Sequence, residues 1–271
     1  KAYNLIDRAT LRAAIEAAHA RDIKVTGHLC SITYREAADL GIDNLEHGFF
    51  AATDWVQGKR VDECPRRGDR RYLDLDLSSP EFTDVVDHLV ANDVALTSTL
   101  TVVERRAPNR PPPPAGAQQA MLPQLHEAVM ARLERSAAGG ANQTALLRRY
   151  MEMEKAFYDA GGLLVVGTDP TGGGDVVPGY ANQRAVQLLV EMGLSVEEAV
   201  EVSTANGARY LERIDDLGTV EPNKRADLVL MEGDATQDVE TFRRVNLVFK
   251  DGVGYDSSKL FASVQGWVGV R

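Results

Sequence analysis

Cysteine is scarce: Cys30 and Cys64 are the only two in 271 residues, which excludes a disulfide scaffold and any cysteine-based zinc motif. They read either as one pair, since Cys30 follows a strand-end histidine and Cys64 lies in the next long loop, or as two unrelated thiols. Aromatic residues make up 6% of the chain. Apolar runs such as Leu163–Val166 are strand-sized, far short of the ~20 residues that span a bilayer, so a membrane partner is not expected. Basic excess is also missing: 30 Lys and Arg against 40 Asp and Glu give a net charge of -10, which argues against nucleic acid. No Gly-x-Gly-x-x-Gly turn follows a strand, and Gly172–Gly174 stand after an acidic strand end, which disfavours a dinucleotide-binding sheet. The first residue is Lys1, so the compartment, cytoplasmic or periplasmic, is not legible.

What is present is a balance of 44% hydrophobic and 26% charged residues, enough for one large domain or a large and a small one. Short β-branched runs alternate with amphipathic stretches. Strands are expected at Lys1–Leu5, Ile23–Gly27, Ile42–Leu45, Val94–Ser98 and Gly162–Gly167. Leu11, Ala14, Ile15 and Ala18 fall on one face of a helix with Asp7 as N-cap. Thr33 with Glu36 forms a capping-box pattern, ended by Gly41. Ser79–Pro80 opens a helix running to about Asn92. Further helices are expected at Ala181–Met192 and Val196–Tyr210. Two polar insertions, Thr53–Ser79 and Glu104–Gln119, interrupt the rhythm, the second holding Pro111–Pro114. From Leu217 the pattern changes to short strands, Leu217–Val220, Asp227–Met231 and Leu247–Lys250, between turn residues, a small β appendage. Strand–helix alternation implies a parallel sheet covered by helices.

Three strands end in residues that carry chemistry. Val25-Thr26-Gly27-His28 ends one, Asn44-Leu45-Glu46-His47-Gly48 the next, and Val165-Val166-Gly167-Thr168-Asp169 the last. In a (β/α)₈ barrel, catalytic groups sit at the C-terminal ends of several strands. Two neutral imidazoles and a carboxylate suit a divalent metal, and Asp169 could also take a proton from an attacking water. Taken singly, a strand-end histidine is more often a hydrogen-bonded core residue, and an Asp there is often a helix cap. The joint pattern raises the functional reading. His19, His88 and His126 lie within expected helices and read as structural or solvated. Glu46 precedes His47, so its side chain should point to the opposite face of the strand.

These strand-end residues resemble those of the metal-dependent amidohydrolase superfamily, especially its imidazolonepropionase-like and prolidase-like members. Thr26-Gly27-His28 and Leu45-Glu46-His47-Gly48 are similar to the segments after barrel strands five and six, and Gly167-Thr168-Asp169 to the strand-eight aspartate. Thr204-Ala205-Asn206-Gly207-Ala208 is similar to the helix after the barrel. Leu217-Gly218-Thr219-Val220 through Ala226-Asp227-Leu228-Val229-Leu230 is similar to the return into a small β domain. The resemblance implies an α/β fold with a (β/α)₈ TIM-type barrel, incomplete here (about strands four to eight), and a small β domain. Residues 1–211 would form the partial barrel and residues 212–271 the appendage with its tail. It implies metal ligation by His28, His47 and Asp169, with Asp169 as the catalytic residue, one or two divalent ions, Zn2+ foremost, and Lys1 as a carboxylated bridging ligand. Two departures stand out. The His-x-His pair after strand one is absent, and the usual Pro-Gly-Lys turn is Pro222-Asn223-Lys224, where Asn tolerates a left-handed backbone.

The function expected is hydrolysis of C–N bonds (amide, cyclic amide or dipeptide) in a small-molecule or peptide substrate. The rivals are a deaminase on the same fold and a non-catalytic binding protein that has lost its metal. An N-terminal segment or second chain completing the barrel, and a homo-oligomer, belong to the same expectation. Arg66, Arg67, Arg70 and Arg71 in one insertion, and Arg105, Arg106 and Arg110 in the other, are candidates to receive a carboxylate.

Overall fold

The computed structural model describes residues 1–66, 72–137, 141–170 and 176–269. Arg67, Arg70, Arg71 and Gly172–Gly174 lie outside them. The chain falls into two compact units, Lys1–Thr99 with Arg148–Val165, and Leu100–Leu147 with Val166–Arg271.

Local signals set the helices of the first unit. The Asp7 side chain accepts from the Thr10 amide at 2.7 Å and opens α1 (Arg8–His19), which buries Leu11 and Ile15. Thr33 and Glu36 form a reciprocal capping box at the start of α2 (Tyr34–Asp39). Gly41, at φ 86°, turns the chain out of that helix. Pro80 follows the N-cap Ser79 in α3 (Pro80–Ala91), whose Phe82, Val85, Val86 and Leu89 are buried.

Between these helices run β1 (Thr26–Gly27), β2 (Asn44–Glu46), β3 (Ala95–Ser98) and β4 (Leu164–Val166), side by side in chain order. The pairs β1–β2 and β2–β3 are parallel, and the Leu96 amide donates to the Leu163 carbonyl at 3.0 Å. Consecutive parallel neighbours joined by helices are the mark of repeated βα units. The strand expected at Lys1–Leu5 is reduced to a single bridge between Ala2 and Gly27. Its continuation is lost because Ile6 N bonds back to Tyr3 O and the Asn4 carbonyl is taken by Ser31 N at 2.9 Å.

Four aromatic residues of the first unit pack around Phe49. The Phe49 ring lies 5.8 Å from those of Trp55 and Phe82, 6.1 Å from Tyr34 and 6.3 Å from Phe157. Such tilted and edge-to-face pairs add to area burial. Cys30 and Cys64 are joined in a disulfide, with Cα atoms 4.9 Å apart.

The second unit carries α4 (Leu100–Glu104), α5 (Ala115–Ala120), α6 (Pro123–Ala137), α8 (Tyr180–Glu191), α9 (Val196–Ser203) and α10 (Ala205–Tyr210). The intervening α7 (Ala141–Asp159) gives its residues from Arg148 onward to the first unit. The single helix expected over Val196–Tyr210 breaks at Thr204, where φ is -132° and its hydroxyl donates to Val200 O at 2.7 Å. A second sheet holds β5 (Leu228–Met231), β6 (Val245–Lys250) and β7 (Val253–Asp256), antiparallel in that order. The strand expected at Leu217–Val220 is bend and turn instead, with Gly218 at φ 97°. Asn223 takes φ 72°, the left-handed backbone its place in the altered turn requires.

Candidate functional site

His28 and His47 each leave a strand beside a glycine the packing demands. A Cβ on Gly27 would come within 2.8 Å of both Ile42 Cδ1 and Leu29 Cγ, so only glycine lets β1 pass and deliver His28. Gly48 has φ 54°, and a Cβ there would overlap the Glu154 carboxyl. His47 itself lies at φ 72°, ψ 32°, at the head of the 3₁₀ turn Gly48–Ala51. A left-handed backbone on a non-glycine residue costs free energy and persists where surrounding structure imposes it.

These constraints bring the rings of His28 and His47 together, 4.3 Å between centroids and edge-on at 67°. The Tyr3 ring lies 4.9 Å from that of His28. His47 is 6% exposed, and its Nδ1 lies 2.8 Å from the Thr99 hydroxyl, on the residue just after β3. That contact fixes the ring's orientation. The donor chemistry is therefore right for a divalent metal. Among the described residues, however, no group of three or more His, Cys, Asp or Glu is arranged to hold one.

Lys1 lies against β2. Its Nζ forms an ion pair with Glu46, and the Thr26 hydroxyl donates to the same carboxylate at 2.6 Å. Burial alone would raise the Glu46 carboxyl, but the Lys1 and Thr26 hydrogen bonds and the charges of Lys1 and His47 outweigh it and hold it below its usual value. Glu46 thus faces β1 and Lys1 as a bracing residue.

Asp169 belongs to the second unit and is exposed. The Thr101 hydroxyl donates to the carbonyl of the preceding Thr168 at 2.9 Å. A following proline such as Pro170 favours extended backbone, yet Asp169 sits at φ 44°. Aspartate is one of the few side chains that enter the left-handed region readily, which outweighs the pre-proline preference here.

Two residues of the site escaped sequence reasoning. Thr99 carries the strand-end signal that picked out the histidines, but hydroxyls at such places are common. Glu154, on α7, carried no signal: only packing brings it under Gly48. It is 1% exposed, and its Oε2 has no partner among the described residues. Burial pushes its carboxyl up to about 8, with the neighbouring Ser98 working weakly the other way.

The chain resembles known proteins in both sequence and fold. The amidohydrolase family model matches residues 6–254. The imidazolonepropionase of Porphyromonas gingivalis is 38% identical over 65 residues, 22% of this chain and 15% of that protein. The solved Xaa-Pro dipeptidase with methionine bound in its active site superposes with TM-score 0.58 at 21% identity, covering 93% of this chain and 49% of the other. Bottromycin amidohydrolase does so with TM-score 0.65 at 19% identity, covering 97% and 58%. The chain thus spans roughly half the length of its structural neighbours, whose likeness is one of fold. With the family model reaching across nearly all of its length, the chain belongs to the amidohydrolase family.

Proposed function

We propose that this chain contributes the His28–His47 portion of a metal-dependent hydrolase acting on C–N bonds of a small amide, cyclic amide or dipeptide. The observation that carries the reading is the meeting of two imidazoles at the ends of adjacent parallel strands, with Thr99 fixing one of them. A divalent ion, zinc by the softness of its donors, would supply a polarised carbonyl and an activated water when bound. His28 and His47 would hold it. Thr99 keeps the His47 ring from turning. Asp169 is proposed as the group that accepts the proton of the attacking water and passes it to the leaving nitrogen. The barrel of eight strands belongs to this reading as well: β1–β4 would be its second half, completed by a segment or chain beyond these residues. Carboxylation of Lys1 would require it to part from Glu46, and a carbamate carbon signal from protein grown in labelled bicarbonate would report it.

The test is metal analysis of the full chain, with His28→Ala and His47→Ala beside it, and an assay of the full-length protein on lactams, N-acyl amino acids and Xaa-Pro dipeptides. Zinc retained by the parent and lost from both variants supports the reading. Equal metal content in all three would overturn it. Release of ammonia from an exocyclic amine, without turnover of any amide, would assign the site to deamination.

A further inference from the structure

The second unit holds a cavity of about 70 Å³ whose lining is divided by chemistry. One wall is apolar: Pro111–Pro114, Val177 and Tyr180. The other carries Arg105, Arg110, Arg184 and Arg243 against, among the described residues, a single acid, Glu104. That acid is spent. Its Oε1 accepts from Arg110 Nε at 2.8 Å and from Arg184 Nη2 at 2.6 Å, while Oε2 accepts from Arg184 Nε at 3.0 Å. Outside the lining, Glu191 takes both Arg110 Nη atoms at 2.6 Å, so Arg110 and Arg184 are neutralised by Glu104 and Glu191.

Arg243 is different. Its Nε lies 3.2 Å from both Gln187 Oε1 and Glu240 Oε2, yet Nη1 is buried with no hydrogen-bond partner among the described residues. Glu240 is 58% exposed and does not line the cavity. Burial pushes the Arg243 guanidinium down from its usual value, against the pull of Glu240, the direction expected of a cation short of partners. A buried guanidinium nitrogen without an acceptor is costly, and native proteins rarely leave one so.

We infer that this cavity binds a small organic carboxylate with an apolar tail, its carboxylate on Arg243 and its tail against the proline wall and Tyr180. A planar carboxylate matches the guanidinium fork. A bare inorganic anion would leave the proline wall and Tyr180 unused, and a neutral ligand would bring no charge to Arg243. The site is built wholly from the second unit and includes neither histidine of the proposed metal centre, so it stands or falls apart from that reading.

The probe is isovalerate, titrated calorimetrically into the chelator-treated full chain. Competition arms use 3-methylbutan-1-ol, the same tail without charge, and sulfate, a charge without a tail. Saturable isovalerate binding, no heat from the alcohol and only weak displacement by sulfate are expected. Arg243→Met should weaken isovalerate roughly tenfold or more, the worth of one charge-assisted hydrogen bond, and Arg243→Lys less. Circular dichroism checks that both variants fold, and the parent arms decide the matter if either does not. His28→Ala should bind isovalerate as the parent does. No binding to the parent, equal binding by the alcohol, complete displacement by equimolar sulfate, or unchanged affinity in a folded Arg243→Met would each overturn the inference.

Discussion

In the four-stranded sheet Leu45, Ala95, Leu96 and Leu164 are at most 1% exposed, whereas in the three-stranded sheet Val229, Leu230, Val253 and Tyr255 are 43–57% exposed. Both sheets are short and rich in the same residue types. The difference follows from their partners: parallel strands joined by helices are covered on both faces, while an antiparallel meander can leave a face open. Burial on both sides makes a strand end a fixed point. A histidine placed there inherits the rigidity of the core, which is how β1 and β2 can hold two imidazoles 4.3 Å apart. Apolar residues on the open sheet are displayed without being fixed.

This contrast can be broken by mutation, beginning in the core. Phe49→Ala should cost about 3–5 kcal/mol in denaturant unfolding, because a fully buried ring touching four others leaves a cavity that cannot close. A loss under 1 kcal/mol would mean the region is far looser than its packing.

Glu154→Gln should act next, and with pH. In the folded chain the carboxyl titrates near 8 against an ordinary 4.5, so the native state keeps a proton that the unfolded chain gives up. The parent should therefore lose stability as pH rises from 4.5 toward 8 and level off above that. At pH 7 the cost is about 3 kcal/mol, since holding a proton against each tenfold fall in its concentration costs about 1.4 kcal/mol. Glu154→Gln, free of that titration, should show a flatter profile and exceed the parent at pH 8. Parallel profiles would show that the carboxyl is not held neutral.

A smaller effect is expected at Thr99. Thr99→Val keeps shape but removes the partner of His47 Nδ1. Affinity for zinc, measured by competition with a chromophoric chelator, should fall roughly 10- to 100-fold, as for other groups that orient a ligand. Unchanged affinity would place the orienting role elsewhere. Smallest of all, Val229→Thr on the open sheet should shift stability by less than about 0.5 kcal/mol. A loss comparable to that at Phe49 would mean this face is buried in solution.

Much of the fold was legible where the cause is local. The Asp7 cap, the Thr33–Glu36 box and the Ser79–Pro80 start form as their spacing predicts because each involves residues within one helical turn. Strand ends at His28 and His47 were legible for a similar reason: glycine and histidine close an apolar run. What was hidden is non-local. His47 meets Thr99 across 52 positions, and Glu154 reaches Gly48 only because α7 packs there. β7 was missed because it is four residues long, with Gly254 between its two apolar residues, and every residue in it is exposed. Leu217–Val220 has strand-like residues but spends them on a turn around Gly218. Arg105, Arg106 and Arg110 in the Glu104–Gln119 insertion were candidates to receive a carboxylate, yet Arg243, far along the chain in the turn Val239–Arg243, gave no hint of lining a cavity with Arg105 and Arg110.

The bond between Cys30 and Cys64 has a consequence for the unfolded chain. It closes a loop with a separation of 34 residues, a span that includes α2, β2 and His47. By the loop-closure model, tying such a loop removes roughly 4 kcal/mol worth of disorder from the denatured ensemble. The tethered stretch carries the left-handed His47 and the crowded Gly48. With both thiols reduced, the native contacts would be the same but the random coil competing against them would be far more numerous. The geometry of the histidine pair is thereby underwritten in part by a covalent tether whose effect is felt only when the protein is not folded.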